Sequence, residues 1–200
     1  IELFEKQRWA FYSPATEMLY GGAAAGGKSF LLRCSGIRWA EQIPGIQVYL
    51  FRRTFPDLKK NHLRGPKNFF ELLGPQLRYG SVKYNKQDND FCWQETNSRI
   101  TLCHCQHEDD VRNYQGAEIH VLLMDELTLF TVYQYRFLRG RTRMIGMNVP
   151  EIYRKLLPRV ECGSNPGGIG HKFVKSFWIV DEEGKEVEPL KIWQAPAAEG

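Results

Sequence analysis

The feature that most constrains the fold is a glycine-rich segment near the start of the chain, residues 20–29 with the sequence YGGAAAGGKS. Residues 22–29 match the pattern G-x-x-x-x-G-K-[ST], which is typical of a phosphate-binding loop between a strand and a helix. The loop contains only small residues, so its backbone N–H groups can approach an anion at the start of a helix, where the dipole favours negative charge. These residues are Gly22, Ala23, Ala24, Ala25, Gly26 and Gly27.

The two residues after this loop carry the functional groups of the pattern. The ammonium group of Lys28 is expected to reach the β- and γ-phosphates of a nucleotide, and the hydroxyl of Ser29 to complete the coordination of Mg²⁺. The required context is present, because residues 17–20 have the pattern of a short strand and residues 29–40 that of a helix. The alternative is a glycine-rich turn that precedes a helix by chance.

A second element is the almost wholly apolar run of residues 119–126, IHVLLMDE, which ends in two carboxylates. Such a run predicts a strand buried on both faces of a parallel sheet, and ligands of α/β sheets bind at the carboxyl ends of the strands. Asp125 is expected to hold Mg²⁺ through water, opposite Ser29, and Glu126 to act as general base on the attacking water. The alternative is that Asp125 only caps a helix after a core strand.

Two further positions are candidates for nucleotide contacts. Asn165 lies in the segment SNPGG after a probable strand at residues 156–162, and it could sense the γ-phosphate or the attacking water, although Asn-Pro-Gly-Gly is also an ordinary turn. Gln7, close to Trp9 and Tyr12, could read the edge of an adenine. Equally, residues 1–16 could be an amphipathic lead-in helix with Trp9 in the core.

The rest of the chain predicts a mixed α/β sheet. A buried strand is expected at residues 46–51. Helical structure is expected from Thr54 to Leu73, broken by Gly65-Pro66 and ended by Gly74-Pro75, and antiparallel strands within residues 77–105 are expected to extend the sheet on one side. Helices are expected at residues 131–145 and 171–178, and a linker at residues 195–200. The basic run Arg52, Arg53, Lys59, Lys60 and Arg64 either touches nucleic-acid phosphates or is a solvated helix face.

Composition excludes several classes. The longest apolar stretches are too short to span a membrane, and the net charge of +4 permits a polyanionic partner without requiring one. The five cysteines form no C-x-x-C pair, which predicts free thiols in a reducing compartment. Cys103-His104-Cys105-Gln106-His107 has the wrong spacing for a zinc site, so we expect Cys103 and Cys105 to be buried.

Taken together, the motif YGGAAAGGKS, the run LLMDE ending at Glu126, and SNPGG followed by His171 resemble the ATPase domain of the large terminase subunit of tailed bacteriophages. The resemblance covers about residues 5–180. It implies a P-loop NTPase fold of the additional-strand catalytic-glutamate type, with a central, mostly parallel sheet, helices on both faces and an antiparallel β extension. Residues 1–180 would form the ATPase domain and residues 181–200 the start of a linker or lid towards a nuclease domain, the chain being the motor half of a longer protein.

The resemblance also implies a function. It predicts a Mg²⁺-dependent ATPase that drives double-stranded DNA into a procapsid, working in the host cell cytoplasm as a homo-oligomeric ring, expected to be a pentamer, with a portal protein and a small terminase subunit as partners and no membrane. The alternatives are a helicase-like or recombinase-like P-loop ATPase and a nucleotide-binding assembly module.

Site roles follow from the same resemblance. Gln7 resembles the family's adenine-contacting glutamine, and Ser164-Asn165-Pro166 its coupling motif. Some members carry an arginine within the phosphate loop, where this chain has alanines. An arginine from a neighbouring subunit is therefore the expected charge stabiliser; Arg112 fits best, with Arg139 or Arg141 as substitutes.

Overall fold

The computed structural model describes residues 2–22, 27–181 and 183–186, and within them the chain forms one seven-stranded sheet. The strands are β1 (Glu17–Gly21), β2 (Gln47–Arg52), β3 (Val82–Asn85), β4 (Asp90–Trp93), β5 (Arg99–His104), β6 (Val121–Asp125) and β7 (Arg159–Ser164). The α-helices are α1 (Glu5–Phe11), α2 (Lys28–Gln42), α3 (Phe55–Leu58), α4 (Phe69–Leu72), α5 (Gly74–Tyr79), α6 (Val132–Arg139), α7 (Glu151–Arg154) and α8 (His171–Trp178).

The strand order is β1-β7-β6-β2-β5-β4-β3. Strands β1, β7, β6, β2 and β5 are mutually parallel, and β4 pairs antiparallel with both β5 and β3. Strand β7 therefore lies between β1, which leads into the glycine-rich loop, and β6, which ends at Asp125. This is the additional-strand arrangement that the sequence predicted, with the predicted antiparallel extension on the far side.

Two hydrophobic clusters cover the two faces of the sheet, because alternate residues of each strand point to opposite sides. On one face, Val48 and Leu123 pack with α2 and the elements after β2; on the other, Phe51 and Met124 pack with α6 and α8. Helices lie on both faces, as predicted. Helix α2 approaches the sheet closely at Gly36, where a Cβ atom would lie 3.2 Å from Leu123 Cδ1.

The helical segment after β2 is broken at Gly65-Pro66, as predicted, and its first part is itself divided into two short helices. Thr54 caps α3 by accepting a hydrogen bond from the Asp57 N–H, and a π-helical turn (Lys59–Leu63) follows directly. The prediction that Gly74-Pro75 ends the helical region was wrong. These residues begin α5, because proline is tolerated in the first turn of a helix, where its missing N–H has no intrahelical partner.

The helix expected at residues 131–145 stops at Arg139. Thr131 caps the start of α6 by accepting a hydrogen bond from the Gln134 N–H. Beyond Gly140 the backbone pairs with residue 119 instead of continuing the helix. The Ile119 N–H donates to the Arg141 carbonyl, and the Arg143 N–H donates to the Ile119 carbonyl. Arg141 and Arg143 therefore lie in an extended stretch beside residue 119. The helix predicted at residues 171–178 is confirmed as α8.

Three predictions concern cysteines, membranes and the end of the chain. All five cysteines are free, and Cys103 and Cys105 are buried in the cluster beneath α6. Among the residues described, no group of three or more His, Cys, Asp or Glu side chains is placed to hold a metal ion, and no helix has the length and apolarity needed to cross a bilayer. The expected linker at residues 195–200 lies outside the described residues, as does most of residues 181–200.

Candidate nucleotide site

The start of α2 is shaped by a contact between two predicted site residues, Gly27 and Gln7. Gly27 has φ 67°, a left-handed conformation that favours glycine, and a Cβ atom there would overlap with the Gln7 side chain. The Gln7 Nε2 donates a hydrogen bond of 3.1 Å to the Gly27 carbonyl. Gly22, with φ 139°, also requires the freedom of glycine. The predicted loop residues Ala23, Ala24, Ala25 and Gly26 lie outside the described residues.

Lys28 is the first residue of α2 and is only 6% exposed. Its ammonium group donates a hydrogen bond of 3.2 Å to the carbonyl of Gly22, at the other end of the glycine-rich segment. A buried ammonium group held beside a helix N-terminus creates a positive region suited to a polyphosphate.

Asp125 ends β6 and is fully buried, and its Oδ2 atom accepts three hydrogen bonds. The donors are Ser29 Oγ at 2.8 Å, Arg52 Nη1 at 3.0 Å and His62 Nε2 at 3.0 Å. Burial by itself would raise the pKa of this carboxyl group, but the hydrogen bond from His62, followed by the charge of Arg52 and the hydrogen bond from Ser29, lowers the pKa below its ordinary value. Asp125 is therefore held as a carboxylate.

The other oxygen, Asp125 Oδ1, is buried and has no hydrogen-bond partner among the described residues. Space beside it is kept by Gly163 of β7, where a Cβ atom would lie 3.4 Å from Oδ1 and 3.3 Å from Lys28 Cβ. A buried carboxylate oxygen without a donor costs free energy unless a cation or water satisfies it. A carboxylate next to a serine hydroxyl is the oxygen-ligand chemistry that Mg²⁺ takes in nucleotide sites, so these residues fit the predicted metal.

Glu126 follows Asp125 in a left-handed conformation, with φ 60° and ψ 55°. This conformation costs a residue with a side chain about 1–2 kcal/mol, and such strain is concentrated at functional sites. The carboxylate of Glu126 accepts hydrogen bonds from Asn165 Nδ2 at 3.0 Å and 3.1 Å, and Arg52 Nη2 lies 3.8 Å from its Oε1. Arg52 thus contacts both carboxylates.

The segment after β7 that carries Asn165 is seated on the turn after Glu126. Thr128 Oγ1 donates to the Asn165 carbonyl at 2.9 Å, and the Gly170 N–H donates to the Thr128 carbonyl at 2.8 Å. Glycine is required at this junction, because a Cβ atom on Gly168 would lie 2.5 Å from the Thr128 carbonyl oxygen. The segment that carries Asn165 and the turn after Glu126 are therefore joined by hydrogen bonds and close packing.

Several of these residues line a cavity of about 510 Å³, although the buried Asp125 is not among them. Gln7, Lys28, Ser29, Glu126 and Asn165 line one part of it. Asn61 of the π-helical turn, and Gly65, Pro66 and Lys67 from the segment that follows it, also line the cavity. The volume lies within the range of small-molecule and cofactor sites.

Gln7 lines the cavity, but both ends of its amide already have partners within the protein. Besides the bond from Nε2 to Gly27, Gln7 Oε1 accepts from the Phe4 N–H at 2.9 Å. Gln7 is 1% exposed, so its described role is to fix the start of the chain against the phosphate loop. Its contact with adenine stays a prediction.

Arg112 does not lie among the residues that line the cavity. It belongs to a 3-10 helix (Glu108–Tyr114), its side chain is 74% exposed, and it pairs with Asp109 at 3.3 Å. Of the substitutes, Arg139 pairs with Glu17 at 2.7 Å and Arg141 donates to the Gln115 carbonyl at 3.2 Å. An exposed arginine on one subunit is what a contribution to a neighbour's site would need.

Three site residues were missed or misassigned from the sequence. Arg52 was placed in a surface basic run, whereas its side chain is 12% exposed and contacts Asp125. His62 and Arg33, both buried, were not predicted at all. The position of Arg52 at the carboxyl end of β2, next to β6 in the sheet, was a usable indication, but the π-helical turn that carries His62 has no sequence pattern that we could have used.

The fold was compared with known proteins. The sequence matches no protein-family model and no curated protein. Among solved structures, a large terminase from a thermophilic bacteriophage is similar with a TM-score of 0.64 and 17% identity, over 91% of this chain and 44% of that one. The same terminase in complex with ADP is similar with a TM-score of 0.60 and 15% identity, over 81% of this chain and 39% of that one.

The Thermus phage P74-26 large terminase ATPase domain is similar with a TM-score of 0.56 and 14% identity, over 90% of this chain and 71% of that domain. At such identities the likeness establishes a shared fold. This chain has the P-loop α/β fold of phage large terminase ATPase domains, and it spans less than half of the terminase from the thermophilic bacteriophage.

Proposed function

We propose that this chain is the ATPase domain of a phage large terminase subunit, which hydrolyses ATP to power the packaging of double-stranded DNA into a procapsid. The observation that carries the proposal is the contact between Ser29 Oγ and Asp125 Oδ2, at 2.8 Å, beside a cavity that Lys28 and Glu126 also line. The contact joins the phosphate-loop helix to the acidic strand end. The similarity to a terminase in complex with ADP supports a nucleotide ligand.

Each residue has a role that its surroundings support. Lys28 and the start of α2 would hold the β- and γ-phosphates, and Ser29 and Asp125 would hold Mg²⁺, which neutralises charge that develops on the phosphate oxygens. Glu126 would accept a proton from water as the water oxygen bonds to the γ-phosphorus and the bond to the β-phosphate oxygen breaks, leaving ADP and phosphate. Asn165 would hold the Glu126 carboxylate in place for that transfer.

The side-chain amide of Asn165 also suggests how events at the nucleotide site would be coupled to the adjoining segment of the chain. Its Oδ1 atom is buried without a hydrogen-bond partner among the described residues, while its Nδ2 atom donates to Glu126. An amide whose nitrogen contacts the base and whose oxygen is unsatisfied is suited to accept a hydrogen bond from the attacking water. Because the backbone carbonyl of Asn165 accepts a hydrogen bond from Thr128, a change in the position of Asn165 would be passed to the turn that contains Thr128.

The assembled machine is part of the proposal. Residues 1–180 would be the ATPase domain and residues 181–200 the start of a linker or lid. The subunits would form a pentameric ring with a portal protein and a small terminase subunit in the host cytoplasm. The helicase-like and assembly-module alternatives have no supporting observation of their own in the described residues.

The experiment is phosphate release per subunit from Mg-ATP as a function of protein concentration, with and without double-stranded DNA. Lys28→Ala is the blank, and Arg112→Ala tests the neighbouring-subunit arginine. Turnover that rises with concentration and falls in Arg112→Ala supports a ring motor. Turnover that is independent of concentration contradicts a shared site. The absence of turnover under every condition, with nucleotide binding retained, favours the assembly-module alternative.

A further inference from the structure

The buried side chain of His62 joins the candidate metal ligand to the phosphate-loop helix. His62 is fully buried in the π-helical turn Lys59–Leu63, and its Nε2 atom lies 3.0 Å from Asp125 Oδ2. On the other side of the ring, His62 Nδ1 lies 3.3 Å from Arg33 Nη1. The ring therefore lies between a carboxylate and a guanidinium group.

These two partners fix the tautomer of the ring. A guanidinium group can only donate hydrogen bonds, so His62 Nδ1 must accept, and the single proton of the neutral ring must lie on Nε2. The Nε2–H then donates to Asp125 Oδ2.

Arg33 also holds the wall of the cavity. It lies one helical turn after Ser29 on α2, so both side chains face the same way. Arg33 Nη1 donates to the Asn61 carbonyl at 3.1 Å, and Arg33 Nη2 donates to the Pro66 carbonyl at 3.3 Å. Asn61 and Pro66 line the cavity that Lys28 also lines.

We propose that His62 is a positioning residue of the hydrolytic site, with Arg33 as the residue that orients it. By donating to Oδ2 together with Ser29 and Arg52, His62 commits that oxygen to the protein and leaves Oδ1, which has no hydrogen-bond partner among the described residues, available to a metal ion. Outer-shell partners of this kind typically change metal affinity or activity by about 10- to 100-fold. The inference rests on the proposed function, because it assigns His62 to the same Mg-nucleotide site.

Two substitutions separate the two bonds of His62. His62→Gln places an amide N–H near the position of Nε2 and can still donate to Asp125. His62→Asn places its amide near the position of Nδ1, where it can accept from Arg33 but cannot reach Asp125. The exposed His104 gives a matched control, His104→Asn.

The measurement is the Mg²⁺ concentration for half-maximal ATP turnover, together with kcat and the affinity for ADP without Mg²⁺. We expect His62→Asn to raise that Mg²⁺ concentration about tenfold or more, and His62→Gln to stay much closer to the unsubstituted chain. ADP affinity without Mg²⁺ should be the same in all variants, which also shows that they fold. Equal shifts in the two His62 variants, or no shift in either, would overturn the inference.

A second measurement needs no folded variant. In the ¹⁵N-labelled chain at neutral pH, the His62 imidazole should show a proton on Nε2 and a bare Nδ1; a proton on Nδ1 would overturn the inference. Failure of the proposed function gives a different result, because the unsubstituted chain would then release no more phosphate than Lys28→Ala. If the unsubstituted chain turns over ATP normally and His62→Asn has the same Mg²⁺ dependence, the positioning role of His62 is rejected and the proposed function is not.

Discussion

The Nδ2 atom of Asn165 lies 3.0 Å from one carboxylate oxygen of Glu126 and 3.1 Å from the other. Each residue directly follows the last residue of a strand, and the two strands, β6 and β7, are neighbours that pair in parallel. Residues that are distant in the sequence therefore meet at one edge of the sheet. The pair couples the proposed base to the segment that follows β7.

Replacing Asn165 with aspartate should inactivate the site while leaving nucleotide binding intact. The new carboxylate would lie about 3 Å from that of Glu126, and like charges at this separation repel. We expect turnover to fall by about 100-fold or more, the scale of a general base, with ADP affinity unchanged. Phosphate release and ADP titration check this, with Asn165→Gln as the uncharged control. Turnover in Asn165→Asp equal to that of the unsubstituted chain would show that Asn165 does not hold the base.

Because the backbone of Glu126 is left-handed, we expect the stability of the chain to depend on whether glycine or alanine replaces this residue. Glycine adopts φ 60° without strain, whereas alanine does not, so Glu126→Gly should be more stable than Glu126→Ala by about 1 kcal/mol. Both variants remove the carboxylate and should lose turnover equally. Urea denaturation gives the free energies of unfolding. A more stable alanine variant would contradict the strain.

A substitution at Gly170 tests how tightly the segment that carries Asn165 packs against the turn after Glu126. A Cβ atom there would overlap with the Phe130 carbonyl oxygen and lie 3.1 Å from that of Thr128. Gly170→Ala should therefore lower the free energy of unfolding by about 1–3 kcal/mol and reduce turnover by displacing Asn165. Gly116→Ala is the matched control, because no atom lies within 4 Å of its added Cβ. Equal stability of the two variants would show that the segment is not tightly packed at Gly170.

The thiols should differ sharply in reactivity. Burial raises the pKa of Cys34 and Cys105 to about 11 and of Cys103 to about 12, and it also raises the pKa of Cys162. A raised pKa keeps a thiol protonated, and the thiolate is the reactive form. Iodoacetamide at pH 8 should therefore modify the partly exposed Cys92 first, and all five cysteines only after unfolding. Rapid modification of Cys103 in the folded chain, seen by mass spectrometry, would contradict this burial.

Much of this fold could be predicted from the sequence, because each strong pattern is local. The apolar run before Asp125 specifies a strand buried on both faces, and the glycine-rich loop specifies a strand before it and a helix after it. The meeting of Ser29 with Asp125 follows from two parallel strands that end at one edge.

What could not be predicted depends on tertiary contacts. The position of His62 is set by a π-helical turn and by the guanidinium of Arg33, and neither leaves a pattern in the sequence. Arg52 looked like one charge in a surface run until the strand order placed it beside Asp125. The helix expected to reach residue 145 was cut short because its last residues pair with Ile119.

The division of roles between Asp125 and Glu126 is the centre of this account, and one paired measurement tests it most directly. Glu126→Gln and Asp125→Asn are compared for ATP binding as a function of Mg²⁺ concentration and for single-turnover phosphate release. Glu126→Gln is predicted to bind Mg-ATP with the affinity of the unsubstituted chain and to release phosphate about 100- to 10,000-fold more slowly, while Asp125→Asn loses the Mg²⁺ dependence of binding. Phosphate release by Glu126→Gln at the rate of the unsubstituted chain would contradict the account.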